Sequence, residues 1–207
     1  MASPLESCGK PLFFKVADSA EPDLGPDSDQ TVRVVVQSLT LTQKEALVVS
    51  KGGGPTWRLS SDEGAYLMGD DVAPCPLSFV TTGMLASYMN EVLALANERD
   101  ISIQDIKLTL DNTYTMSGSA LRGTMQGGAL PVELNAMIDS ENDPDSLLQL
   151  VKDAVSVSVV NGLLGRALEN RFNLVHNGVQ VETGRVSSIG NSSEPDFEDR
   201  FRLLKPV

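Results

Sequence analysis

The chain has 207 residues, enough for one domain with or without extensions, and 41% of them are apolar against 5% aromatic. A core built from it draws on Val, Leu, Ile, Met and Ala. The formal net charge of −12 repels phosphate backbones, and no Lys/Arg-rich run offsets it, so nucleic acid is set aside as a partner. One His and two Cys cannot build a multi-histidine metal site, a four-cysteine zinc site or a disulfide framework within one chain. No metal and no cofactor are expected. No apolar stretch is long enough to span a bilayer. The first residues, Met-Ala-Ser-Pro-Leu-Glu-Ser-Cys, lack the basic and apolar regions of a signal peptide, so a cytoplasmic protein is expected. There is no G-x-S-x-G elbow, P-loop or dinucleotide fingerprint, and Gly52-Gly-Gly-Pro55 reads as a hairpin turn.

In chain order, residues 1–30 read as an N-terminal extension. It holds a short apolar run, Leu12–Val16, and then a Pro/Asp/Ser-rich loop. The β-branched run Thr31–Gln37 predicts a buried strand. Ala46–Ser50 and Thr56–Ser60 flank the glycine loop as a hairpin. From Pro76 to about Arg99 the pattern is helical, with Pro76 at the first position and Cys75 at the N-cap. Ile101–Thr115 and Leu121–Asp139 read as strands. In the second, Val132, Leu134, Ala136 and Ile138 share one face. Asp143 caps a helix that begins at Pro144. Leu147–Leu168 is then taken as one helix, although Val155-Ser-Val-Ser-Val-Val160 alone would favour a strand. Phe172–His176, the Asn177-Gly178 turn and Val179–Glu182 form a second hairpin. Residues 178–207 are expected to be a C-terminal hairpin strand and tail.

Several pieces in this order carry a resemblance. They are Ser61-Asp-Glu-Gly64, Leu67-Met-Gly-Asp-Asp71, Pro74-x-Pro-Leu77, Leu121-Arg-Gly-Thr124 and Val159-Val-Asn-Gly-Leu163. Together they resemble the OsmC/Ohr family over roughly residues 31–177. The resemblance implies an α+β fold in which antiparallel sheets wrap two long central helices. It also implies an intertwined homodimer with its sites at the interface, and thiol-peroxidase chemistry carried by two cysteines. The first cysteine position falls on Ser87 and the second on Val157, or on Ser156 with a shift of one. The peroxidase branch has a Glu where this chain has Leu77. A serine has no redox cycle to replace that of a thiolate, so the peroxidase chemistry is expected to be lost.

The candidate residues follow from this. Ser87 would orient a ligand or act as a nucleophile beside a base, with His176 as that base. Gly83, one turn before it, and Val157 would leave room for a ligand. Arg33 and Arg58 lie on strands and could bind a carboxylate or phenolate bidentately. Cys75, at a helix N-terminus, would have a depressed pKa. Asp62, Glu63, Asp70 and Asp71 form an acidic cluster suited to acid–base work or a hard cation, and equally to tight turns. The expected function is a dimeric protein without redox cysteines that binds or turns over a small apolar or aromatic molecule in an interface pocket. The alternatives are a thiol-dependent hydroperoxide reductase using Cys75 and a non-catalytic subunit in a heterodimer with an active OsmC-like chain.

Overall fold

The computed structural model describes residues 3–16, 31–50, 54–164, 171–172, 174–177, 179–181 and 187–188. The elements in chain order are α1 (Pro4–Ser7), β1 (Phe13–Lys15), β2 (Val32–Ser38), β3 (Lys44–Ser50), β4 (Trp57–Ser61), α2 (Pro76–Glu98), β5 (Asp105–Asp111) and β6 (Tyr114–Ser117). They continue as β7 (Gln126–Ala129), β8 (Glu133–Asp139), α3 (Pro144–Val157), α4 (Val159–Leu164), β9 (Arg171–Phe172), β10 (Leu174–His176), β11 (Val179–Val181) and β12 (Ser187–Ser188). The class is α+β, as expected. The chain divides into two compact units, one of Met1–Ser78 with Arg171–Val207 and one of Phe79–Asn170.

In the first unit a four-stranded antiparallel sheet runs β1-β4-β3-β2. The register sets Val35 opposite Leu47, Leu47 opposite Arg58, and Arg58 opposite Phe14, so these four share a face. Phe14, Val16 and Leu47 form its core, with Val35 packed on them. The opposite face of β2 carries exposed Val32, Val34 and Val36. The buried strand read from Thr31–Gln37 is thereby corrected. The β-branched content fits a pleated surface, but among the described residues β2 ends the sheet and is covered on one side only. Residues 3–16 belong to this unit, because β1 pairs with β4 and Leu5 N–H donates to the buried Gln43 Oε1 at 3.0 Å. The hairpin of β10 and β11 turns at Asn177, whose φ of 50° is left-handed. The loop expected over residues 17–30, the part of the glycine loop at residues 51–53 and the tail from 191 lie outside the described residues.

The second unit is organised by α2. Its buried residues Met84, Tyr88, Val92 and Ala96 recur every fourth position and make one stripe along the helix. The first two pack on Leu108 and Leu110 of β5, and the last two on Leu150 and Ala154 of α3. Each large apolar side chain so buried contributes roughly 1.5–3 kcal/mol. β5 pairs with β8, placing Ile106, Leu108 and Leu110 opposite Ile138, Ala136 and Leu134. The face read from alternation in β8 is the one toward the core, since Leu134 packs there.

Three sequence expectations are corrected here. Ile101–Thr115 is not one strand: β5 ends at Asp111 and β6 begins at Tyr114. Leu121–Asp139 is likewise split into β7 and β8 around Pro131, which has no N–H to give a ladder. The long second helix is broken at Ser158, whose ψ of 124° leaves the helical region. Ser158 ends α3 by donating its N–H to Ala154 O at 3.2 Å, and it opens α4 by accepting Asn161 N–H on its side chain at 3.3 Å. The surrounding β-branched run lowers the cost of interrupting the helix there.

Candidate functional site

The helix break and α2 meet at two serines. Ser87 Oγ lies 2.9 Å from Ser158 Oγ. Ser158 is 2% exposed, and Ser87 is half-buried. Beside them Tyr88, buried in the α2 stripe, donates its hydroxyl to Asn161 Oδ1 at 3.3 Å. Burial pushes the Tyr88 pKa up, so the phenol stays protonated. The result is a linked set, Tyr88–Asn161–Ser158–Ser87, that ties α2 to the start of α4. A second polar group lies on the same helix. Thr81 Oγ1 and Tyr114 Oη are 3.1 Å apart, and Asn112 Nδ2 donates to Tyr114 Oη at 2.9 Å.

Of the residues anticipated around Ser87, Gly83 is exposed, and a Cβ built on it would meet nothing within 4 Å. Val157 is 55% exposed, and the partner of Ser87 is its neighbour Ser158. Ser158 and Tyr88 do not stand out in the sequence, and Asn161 does so only as a member of the Val159-Val-Asn-Gly-Leu163 piece. A signal for the first existed: Ser158-Val-Val-Asn161 has the serine three residues ahead of a polar side chain, as at a helix N-cap. It was masked by reading the apolar run as continuous helix.

In the first unit, Arg58 is 1% exposed, and its Nε donates to Glu45 Oε2 at 2.9 Å. Its Nη1 donates to Pro11 O at 2.9 Å, and its guanidinium lies 5.5 Å from the Phe14 ring centre. This is an internal arginine, committed to a buried ion pair. Arg33 is half-buried on β2, opposite Val49.

The acidic loop is held by Asp62, which is 0% exposed. Its Oδ1 accepts Glu63 N–H at 2.8 Å, and its Oδ2 accepts the N–H groups of Asp70 and Val72 at 3.1 and 3.3 Å. Asp70 in turn accepts Gln43 Nε2 at 2.9 Å. Burial alone would raise the Asp62 pKa. The hydrogen bonds from Glu63, Thr42, Val72 and Asp70 outweigh it and hold the carboxyl below its ordinary value. A Cβ on Gly69 would stand 1.7 Å from Glu63 O, so the loop closes over a position that only glycine fits. Among the described residues there is no group of three or more His, Cys, Asp and Glu that could hold a metal ion.

Cys75 Sγ lies 3.2 Å from Ser78 Oγ at the start of α2. The Ser78 hydroxyl, and then the Ser78 and Leu77 N–H groups, lower its thiol pKa against the opposing effects of burial and of Glu63. His176 Nε2 lies 3.1 Å from Asn177 Nδ2 at the hairpin turn. Among the described residues no helix is long and apolar enough to cross a membrane.

No protein-family model matches the chain, and no curated protein matches it. Solved structures do. The chain is similar to an OsmC-like hydroperoxide resistance protein from Jannaschia sp. CCS1, with 17% identity, 74% of this chain and 99% of that one covered, and a TM-score of 0.48. It is similar to an organic hydroperoxide resistance protein OsmC from Legionella pneumophila, with 20% identity, coverage of 65% and 88%, and a TM-score of 0.47. It is also similar to an OsmC-like protein from Mycoplasma pneumoniae, with 16% identity, coverage of 68% and 89%, and a TM-score of 0.48.

Proposed function

We propose that this chain is a non-redox member of the OsmC-like scaffold, a homodimer that binds a small, largely apolar organic molecule beside Ser87. One observation carries the reading. At the first of the two positions where the resemblance implies a thiol the chain has Ser87, and its hydroxyl meets that of Ser158, the residue after Val157, at 2.9 Å. A thiolate opens a peroxide and a second thiol resolves the sulfenic acid. A serine pair supports neither step, but it does provide hydrogen bonding in an apolar setting. The open space over Gly83 and the exposed Val157 on the neighbouring helix supply apolar surface around it. Val80, Leu93, Val159 and Leu163 are exposed on α2 and α4 of the same unit, as suits a unit that is covered by a second copy.

The test is reduction of cumene hydroperoxide with a dithiol donor by wild type and Cys75→Ser, together with sedimentation of the purified protein. The expected result is a dimer and no turnover in either form. A monomer would favour the non-catalytic subunit of a heterodimer.

A second reading keeps thiol chemistry through Cys75. It is favoured by the lowered thiol pKa and the Ser78 hydroxyl at 3.2 Å. Turnover that disappears in Cys75→Ser would establish it.

A further inference from the structure

We infer that the ligand of the Ser87 site is an uncharged molecule presenting a hydrogen-bond acceptor, such as a ketone or ester oxygen, and not a carboxylate or phenolate. The inference rests on the reading of Ser87 as a ligand site and narrows it to one chemical class.

Charge is the first consideration. From Pro76 to Asn90, the first four turns of α2, no residue carries a charge, and none does from Ala154 to Leu164 across the helix break. The hairpin segment from Tyr114 to Val132 holds one, Arg122. The ionisable side chain in contact with the set is Tyr88, which burial keeps protonated. An anion placed there would lose its hydration, and among the described residues of these three segments only Arg122 carries a positive charge to offset that cost. Of the two strand arginines that could have answered a carboxylate, Arg58 is already paired with Glu45 inside the first unit. A chain of net charge −12 also does nothing to gather anions.

The direction of the hydroxyl protons is the second. Ser158 Oγ already accepts Asn161 N–H. The residue is buried, and the acceptor within reach of its own O–H is Ser87 Oγ. Were Ser87 to donate instead, the Ser158 proton would be left buried without an acceptor, at a cost of about 1–3 kcal/mol. Ser158 therefore donates and Ser87 accepts. The Ser87 O–H is left as the donor on the half-buried side of the pair, below the open space at Gly83. Asn161, through its N–H and its acceptance of the Tyr88 hydroxyl, acts as the positioning residue that fixes this direction.

The experiment is a titration of the dimeric protein, followed by amide and methyl NMR shifts, with three probes of similar shape: acetophenone, benzoate and ethylbenzene. Acetophenone is expected to shift signals around Ser87 and Ser158 saturably. Ethylbenzene should bind roughly three- to tenfold more weakly, the size of one neutral hydrogen bond, and benzoate should not bind. Ser87→Ala should weaken acetophenone by the same factor and leave ethylbenzene unchanged, while Ser87→Thr should keep acetophenone binding. Benzoate binding as well as acetophenone, or acetophenone binding no better than ethylbenzene in wild type, would overturn the inference and leave the site standing. Absence of shifts around Ser87 with all three probes would overturn the site and the inference together. The wild-type comparison decides the matter even where Ser87→Ala fails to fold.

Discussion

Asn161 N–H lies 3.3 Å from Ser158 Oγ, so the side chain that faces Ser87 also caps α4. One serine thus ends one helix, starts the next and supplies half of the hydroxyl pair. Ser158→Ala removes the cap and the contact with Ser87 together. It should destabilise the protein by about 1 kcal/mol or somewhat more, read as a lower urea midpoint. Ser158→Asn, which can still cap, should recover part of that loss.

The Arg58–Glu45 pair is nearly out of contact with water, with side-chain exposures of 1% and 8%. Removing either partner leaves a buried, uncompensated charge. Arg58→Met or Glu45→Leu alone should cost about 3–5 kcal/mol in denaturant unfolding. The double substitution should be closer to wild type than either single one, because the strain comes from the orphaned charge and less from the loss of attraction.

Asp62 sets an acid limit. Its folded pKa lies below its ordinary value, so it contributes stability that is fully present above its unfolded pKa of about 3.9. That contribution is lost as pH falls through the folded value. Thermal unfolding of wild type should therefore show a loss of stability below about pH 4 that Asp62→Asn lacks. At neutral pH the variant should be the less stable of the two, since an amide cannot accept the same set of N–H groups.

Cys75 is expected to react with iodoacetamide at neutral pH faster than an ordinary thiol, because its thiolate is hydrogen-bonded at the start of α2. Ser78→Ala removes the largest of these interactions and should slow alkylation of Cys75 by a factor of a few. An unchanged rate would mean that the hydroxyl at 3.2 Å does not stabilise the thiolate.

The sequence revealed most where one interaction decided the outcome. Asp143 caps α3 by accepting Ser146 N–H, and Pro144 occupies the first turn, as the residue types require. The extent of α2 and the Asn177 turn were legible for the same reason. The four-stranded sheet was legible as strands, but its exposed face was not. Which side of a Val-rich strand is covered depends on its place in the sheet order, and composition does not encode that. The site was half legible. Ser87 was found by resemblance. The contact with Ser158 was not legible, because the helix break that turns Ser158 inward is set by capping within an otherwise apolar run. Arg58 read as a strand arginine near a pocket. Its burial against Glu45 is a cross-strand relation that appears only once β3 and β4 are in register.

The central claim, that Ser87 stands at a lost thiol position and pairs its hydroxyl with that of Ser158, is tested most directly by Ser87→Cys/Ser158→Cys in a Cys8→Ser/Cys75→Ser background. Oxygens 2.9 Å apart place the substituted sulfurs near bonding distance, about 2.05 Å for a disulfide. One equivalent of cumene hydroperoxide should then convert the two new thiols to a disulfide, with the peroxide leaving as alcohol and water. The serine parent should consume none. Thiols that stay free in the double variant, or peroxide consumption by the parent, would contradict the claim.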